Sequence, residues 1–198
     1  MLIKPGSKLS TISAAKSVYA SAKVSETFPQ EFGVYDLNEF LGALTLFNDP
    51  EITFDDKYLR IADGSQSIKY FGADASVLTA PSKEIKVPPG DVEFVLALDQ
   101  VNMIMKTSGV LRAQDVTITG DGSKIKVLVG DKKNVTSSSY EMIVGNTDSK
   151  FIAHMKVDNL KFIPGDYTVE LSSKKIAKFT NPLVEYVVSL EADSAFED

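Results

Sequence analysis

The chain alternates three times between an extended segment, a short amphipathic helical segment and further strands. Each helical segment carries an aspartate close to its start, at Asp36, Asp99 and Asp158. The three repeated units begin at residues 34–40, 98–103 and 156–162. A repeat within a sequence indicates how the fold is built, whatever the chemistry of the protein. The repeat therefore predicts a pseudo-symmetric scaffold of β-hairpins with a few short helices, which is typical of a binding or assembly protein.

Composition narrows the class of protein. The 198 residues allow one large or two small domains, and 43% of them are hydrophobic, which is enough for a core and too many for a disordered chain. No run of about 18 apolar residues is present, so we expect no membrane span. There is no cysteine, which excludes disulfides and thiolate metal sites and fits a cytosolic protein. The net charge of −6 argues against nucleic acid bound over the whole surface, but it leaves room for one local basic surface.

The first helical segment has the clearest pattern. Asp36 is the predicted N-cap, with Glu39 as its capping-box partner, and the helix stops before Pro50. Apolar residues then follow at spacings of three and four, which predicts one buried stripe. The stripe consists of Leu37, Phe40, Leu41, Leu44 and Phe47.

The second half repeats this plan. Asp99 is the predicted cap of a helix that turns Val101, Ile104 and Met105 inward and ends near Gly109. A third helix is expected to stop at Pro164. Strands flank both helices, which gives an α+β fold class. The acidic tail is expected to fray.

Loss of any secondary-structure pattern marks a linker between the halves. Residues 72–89 hold three of the eight prolines and show no helical period. We therefore predict an N-terminal domain over residues 1–71, a linker over 72–89 and a C-terminal domain over 90–198.

Catalytic motifs are missing from the sequence. It contains no phosphate-binding loop, dinucleotide fingerprint, zinc-protease motif or hydrolase elbow. His154 lies in an apolar strand without an acidic or nucleophilic neighbour, which favours a structural role. Asp55 and Asp56 lie in a turn, where solvated carboxylates are ordinary. We therefore predict no catalytic residue, no metal site, no cofactor and no enzyme activity.

Long colinear segments resemble the sliding clamp of T-even-type tailed bacteriophages. They include residues 34–44, 47–49 and 61–63, Pro164 to Tyr167, and residues 186–193. The resemblance implies a DNA-clamp fold of two pseudo-symmetric domains, with outer antiparallel sheets and short inner helices. It further implies a homotrimeric ring in the cytoplasm of the infected bacterial host. Such a ring encircles duplex DNA without sequence preference, and its partners are the replicative DNA polymerase, the clamp loader and the late-transcription apparatus.

One departure from this family concerns the start of the chain. Clamps of this family carry a further helix before the first strands, whereas Met1 already lies where that helix has ended. Either translation starts further upstream, which we favour, or this variant has three inner helices. An upstream reading frame that encodes an amphipathic helix would support the first explanation, and a stop codon there would contradict it.

Four cations on or just after the helical segments are the candidates for contact with DNA phosphates. Such contacts hold DNA without reading its sequence. The alternative is ordinary solvated surface. The four residues are Lys106, Arg112, Lys156 and Lys161.

Ring closure needs strand edges that pair between subunits. By similarity, the last strand of the first domain pairs with a strand of the second domain of a neighbour. The alternative is that these side chains are simply core. The residues concerned are Ile68, Tyr70 and Phe71 on one side and Tyr140 and Met142 on the other.

A hydrophobic pocket beside the linker is the predicted docking site for partner peptides, whose apolar side chains it would bury. Packing of the linker against a sheet explains the same residues equally well. They are Val77, Leu78, Pro81, Pro182 and Leu190.

Two other functions compete with the sliding clamp. The first is a β-rich phage structural protein that assembles through its sheet edges and needs no basic inner surface. The second, an unrecognised hydrolase, is disfavoured because no nucleophile–base pair is evident.

Overall fold

The computed structural model describes residues 1–83, 85–134 and 136–197, and the chain forms two compact units. The first unit comprises Met1–Ala14 and Ser21–Lys83, and the second comprises Ala15–Ala20 and Glu84–Asp198. The domain limits at 71 and 90 stay a prediction.

Short strands around one helix make up the first unit. Its elements are β1 (Leu2–Ile3), β2 (Gly6–Ile12), β3 (Val18–Phe28, which begins in the second unit), β4 (Phe32–Gly33), α1 (Leu37–Leu44), β5 (Glu51–Phe54), β6 (Tyr58–Asp63), β7 (Gln66–Phe71) and a 3₁₀ turn at Ala75–Val77. Strands β5, β6 and β7 form an antiparallel meander, and β1 pairs with β4. The alternating residues Leu59 and Ile61 of β6 are buried, as the period of two in a strand requires.

Helix α1 begins as the sequence predicts but buries less than predicted. The Asp36 carboxylate accepts hydrogen bonds from the backbone N–H groups of Asn38 and Glu39, at 2.9 and 3.1 Å. Only Phe40 of the predicted stripe is buried, whereas Leu37 is 40% and Leu41 49% exposed. Leu44 and Phe47 are half-buried against the core, so the predicted stripe was wrong for Leu37 and Leu41. These leucines instead line an apolar cavity of about 480 Å³.

The second unit contains two antiparallel sheets around one core. Its elements are β8 (Val92–Leu96), α2 (Leu98–Leu111), β9 (Asp115–Asp121), β10 (Lys124–Gly130), β11 (Tyr140–Asn146), β12 (Lys150–Lys156), a 3₁₀ turn at Val157–Leu160, β13 (Tyr167–Ser172), β14 (Ile176–Thr180), β15 (Val184–Ser189) and β16 (Ala195–Phe196). One sheet has the order β11–β10–β9–β12–β16, and β8, β13, β14 and β15 are neighbours in the other. Both sheets contribute to one apolar core.

Helix α2 starts through contacts that the local sequence does not predict. Its N-cap is Ala97, whose N–H donates to the Gln100 side-chain oxygen at 2.9 Å. The Leu98 N–H donates to the carboxylate of Asp166 at 2.8 Å. The prediction of Asp99 as the cap was wrong, because a residue distant in the chain supplies the acceptor.

The third helical segment is a single 3₁₀ turn, so the predicted amphipathic helix was wrong. Val157 and Leu160 are both buried, and their spacing of three matches the three residues per turn of a 3₁₀ helix. Phe162 then stacks on Tyr186 with ring centroids 4.2 Å apart, which draws the chain into the core. The repeat nevertheless exists as helical segment plus meander: α1 precedes β5–β7, α2 precedes β9–β11, and the 3₁₀ turn precedes β13–β15.

The acidic tail is docked, so the expectation that it frays was wrong. Strand β16 pairs with β12, and Ser194 is buried. In the described ranges, no helix is long and apolar enough to cross a bilayer.

His154 of β12 is a half-buried member of the five-stranded sheet. Its Nδ1 lies 2.8 Å from the hydroxyl of Thr117 on the neighbouring strand. Burial lowers the pKa of this imidazole below its usual 6.5, and this effect exceeds the opposing influence of the Asp193 carboxylate. A neutral histidine that bonds a threonine fits the predicted structural role.

We expect this histidine to make the stability of the protein depend on pH. The folded protein binds the imidazole proton less readily than the unfolded chain does. The stability that the neutral form contributes is therefore complete above the unfolded pKa of about 6.5 and is lost as the pH falls through that value. Urea unfolding from pH 7.5 to 5.5 should show this loss in the wild type and a smaller loss in His154→Gln. An imidazole that titrates at or above 6.5 by NMR would contradict the assignment.

Candidate nucleic-acid interface and assembly edges

Two of the four candidate cations lie at helix α2 without a bound counter-charge. Lys106 is exposed on the helix, and Arg112 is exposed at its C-cap with a left-handed backbone (φ 52°). Within the described residues, neither takes part in an ion pair. Arg112 also complements the negative end of the helix dipole. Both charges are thus available to an anionic ligand.

Lys156 is engaged by a buried carboxylate. Its Nζ lies 2.5 Å from Oδ1 of Asp115, whose side chain is buried, and the other oxygen of Asp115 accepts the N–H of Lys132 at 3.2 Å. The hydrogen bond to Asp115 raises the pKa of Lys156 above its usual value. A buried carboxylate requires such a partner. The position of Lys156 is therefore explained by Asp115 without any DNA.

Lys161 belongs to an exposed ion pair. Its Nζ lies 2.8 Å from Asp158, three residues earlier, and both side chains are exposed. The pair lowers the pKa of the Asp158 carboxyl. Exposed pairs of this kind are worth little, so Lys161 can turn toward another anion. The net charge of this turn nevertheless remains close to zero.

Helix α1 offers no basic side chain. Its exposed polar residues are Asn38 and Glu39. The basic surface of the helical segments is therefore limited to a few cations in the second unit. Such an arrangement suits mobile contacts with phosphates rather than tight binding.

The predicted assembly residues lie on two edge strands. Strand β7 is at one edge of the β5–β6–β7 meander, and β11 is at one edge of the five-stranded sheet. Tyr70 is buried in the core of its unit, whereas Phe71 is 66% exposed. The two predicted residues on β11, Tyr140 and Met142, are half-buried against the core of the second unit. Phe71 alone among these four thus has a large area available to a partner.

Ile143 is an assembly candidate that the sequence analysis missed. It lies on the opposite face of β11 from Tyr140 and Met142, and it is 57% exposed. The period of two along the strand could have identified it, because a residue next to two core positions faces outward. Ile68 of β7 is half-buried.

The five residues assigned to a partner pocket divide between the two units. Val77 is exposed and Leu78 half-buried in the first unit, and Pro182 is exposed in the second. Pro81 and Leu190 are buried, so their side chains have little free surface. The pocket stays a prediction.

The chain is similar in sequence to phage sliding clamps over nearly its whole length. Residues 93–192 match the family described as the gp45 sliding clamp, C-terminal. The whole chain is 31% identical to the sliding clamp of Enterobacteria phage T4 and covers 91% of it. It is 28% identical to the sliding clamp of Vibrio phage KVP40, over 97% of the chain and 90% of that protein.

Solved structures show the same fold at low sequence identity. A putative DNA polymerase III beta subunit from Eubacterium rectale has a TM-score of 0.74 at 14% identity, with 99% of this chain and 57% of that one covered. A. fulgidus PCNA bound to the C-terminal region of FEN-1 has a TM-score of 0.68 at 14% identity, with 98% and 88% covered. The chain thus spans little more than half of the bacterial beta subunit. The predicted α+β clamp fold is confirmed.

Proposed function

Since the chain belongs to the sliding-clamp family of T-even-type tailed bacteriophages, we propose that it is the processivity clamp of a phage replisome. Three copies form a ring around duplex DNA and tether the replicative polymerase in the cytoplasm of the infected host. The observation that carries this proposal is the match to the T4 sliding clamp over the whole chain. The ring acts by topology and contact, without a catalytic step of its own.

Edge geometry supports assembly through β7 and β11. Both are edge strands of antiparallel sheets, and both present an exposed apolar side chain, Phe71 and Ile143. Pairing of two such edges satisfies backbone groups and buries these side chains together. In this proposal, β7 of one copy pairs with β11 of the next, and three such contacts close the ring.

Unpaired cations support a mobile contact with DNA. Lys106 and Arg112 supply charge to phosphates, and Lys161 adds a smaller share because Asp158 lies beside it. Lys156 serves mainly to neutralise Asp115. A structural phage protein, the competing function, has no use for an unpaired cation on the inner helices.

The polymerase and the clamp loader are the partners that this function requires, and the family resemblance adds the late-transcription apparatus. PCNA of A. fulgidus is known with the C-terminal region of FEN-1 bound, which is a precedent for a clamp of this fold that binds a partner segment. We assign the corresponding surface here to Val77 and Leu78, which retain exposed area. Light scattering of the purified chain tests the ring first: three subunits support it, and a strict monomer at every concentration contradicts it.

The first prediction concerns ring closure. Replacement Ile143→Glu places a charge at the proposed contact and removes the burial of an isoleucine, worth about 1.5–3 kcal/mol. Since about 1.4 kcal/mol is a tenfold change in an equilibrium constant, the trimer should dissociate at a concentration at least about tenfold higher than in the wild type. Sedimentation or light scattering over a concentration series measures this shift.

A matched control lies in the same row of side chains across the sheet. Ile143 is opposite Lys126, Lys126 is opposite Thr119, and Thr119 is opposite Ile152. The variant Ile152→Glu makes the same exchange away from β11 and should leave the trimer intact. Equal dissociation of both variants would reject β11 as the contact.

A second prediction concerns DNA retention. Reversal of both unpaired cations, Lys106→Glu with Arg112→Glu, should shorten the residence of loaded rings on DNA with blocked ends. Each lost phosphate contact should lower the slope of log affinity against log salt by about 1. Lys161→Glu should have a smaller effect.

The control for DNA retention is Lys174→Glu, an exposed lysine in the turn after β13. All variants should keep the solution mass of the wild type. Retention that falls equally in Lys174→Glu, or stays unchanged in the double variant, would refute the assignment of Lys106 and Arg112.

A further inference from the structure

The tail of the second unit runs along most of the outer edge of β12. The N–H of Glu191 donates to the carbonyl oxygen of His154 at 2.9 Å, and the N–H of His154 donates to the hydroxyl of Ser194 at 3.0 Å. Strand β16 then pairs with β12, and the N–H of Glu197 donates to the carbonyl oxygen of Lys150 at 2.9 Å. Residues 191–197 thus line the backbone edge of β12 from Lys150 to His154.

Two lysines fasten this segment. Nζ of Lys132 lies 2.7 and 2.8 Å from the two oxygens of Asp193 and 3.7 Å from Glu191, and the Lys132 side chain is only 10% exposed. Nζ of Lys175 donates to the carbonyl oxygen of Ser194. The hydrogen bond from Lys132 lowers the pKa of the Asp193 carboxyl. These contacts fix the segment before the short strand begins.

An aromatic stack completes the attachment. The ring of Phe196 stacks on Phe151 of β12, with centroids 5.7 Å apart and planes 14° apart. The ring of Phe151 in turn covers Gly120 of β9, where a Cβ would approach the ring to 2.4 Å. A glycine is needed there to let the ring lie flat against the sheet.

The segment contributes little to the core itself. Phe196 is half-buried at the margin of the core, and Ala195 is exposed. Its contacts are mainly with edge backbone groups and with Lys132. The main effect of the segment is therefore on the edge of β12, which it closes to any other strand.

The edge that replaces β12 is poor for pairing. Strand β16 has two residues, and Glu191, Asp193 and Glu197 flank it. Very short strands and charged side chains are the devices by which proteins blunt an edge against association. The opposite edge of the same sheet, β11, is seven residues long and exposes Ile143.

We propose that residues 191–197 are an edge cap, which keeps β12 from pairing with a strand of another copy and leaves β11 as the assembly edge of this sheet. The part concerning β11 rests on the proposed ring. The cap itself stands on the contacts along β12. The cap closes one of the two outer strands of this sheet, so that copies cannot also associate through β12 and join closed rings to one another.

The experiment compares the full chain with a chain that stops at Leu190. Light scattering over a concentration series should show a mass for the shortened chain that rises above the plateau of the wild type. Excess synthetic peptide of residues 191–197 should restore the plateau, and the same peptide with Phe196→Ala should not. A shortened chain that is folded and has the mass of the wild type at every concentration would overturn the proposal.

A full-length variant decides the matter where the shortened chain fails to fold. Lys132→Met combined with Phe196→Ala removes the ion pairs of Lys132 and the aromatic stack and leaves the hydrogen bond from Lys175 in place. Lys133→Met with Phe196 unchanged is the control at the neighbouring exposed lysine. The double variant should show at least about tenfold faster hydrogen exchange at the amides of His154 and Glu197, together with association above the wild-type plateau. Faster exchange without association would overturn the proposal.

A monomeric wild type would reject the proposed ring, but the shortened chain would still test the edge cap. In that case, association of the shortened chain alone supports the cap, and a monomeric shortened chain rejects it.

Discussion

Unpaired backbone groups at strand edges are the constraint on which the rest of this structure depends. The chain is built almost entirely from antiparallel strands, and each sheet therefore has edges whose N–H and C=O groups need partners. In the five-stranded sheet, one edge is occupied by the protein's own segment at 191–197, and the other is β11. A ring made from such sheets needs both features, because assembly requires an open edge and specificity requires that the wrong edge be closed.

Local sequence determined those features whose partners lie nearby in the chain. The strands of the β5–β7 meander follow from the alternation of apolar and polar residues. The N-cap at Asp36 depends only on its own carboxylate and on the backbone N–H groups of the second and third residues after it. Helix α2 differs, because the acceptor for the Leu98 amide is Asp166, 68 residues away. No local pattern reveals a cap supplied by another part of the fold. The tail was missed for the same reason: its sequence is acidic and short, and only Lys132 and the edge of β12 give it a place.

The type and chain position of the candidate site residues follow from the sequence, but their ion pairs do not. Lys156 and Lys106 are both lysines at a predicted helical segment, and nothing in the sequence separates them, although the structure places Lys156 at the end of β12, before the 3₁₀ turn. The fold separates them, because Asp115 is buried beside Lys156 and its charge requires a counter-ion. Ile143 shows the converse case. Alternation along β11 is enough to predict that Ile143 faces outward. Its role as an assembly candidate also requires that β11 be an edge strand, and only the order of strands in the sheet shows this.

The described helical segments carry few unpaired cations, which has a consequence for how the proposed ring holds DNA. In the proposed trimer, Lys106 and Arg112 give about six phosphate contacts, and the affinity from that many contacts falls by about a thousandfold between 50 and 200 mM salt. A chain with a net charge of −6 adds no long-range attraction to compensate. Phosphate contacts alone therefore cannot keep DNA bound in the cell. Retention in the proposed trimer depends also on the ring staying closed, so the phosphate contacts of Lys106 and Arg112 lengthen the residence time only as long as the β7–β11 contact holds.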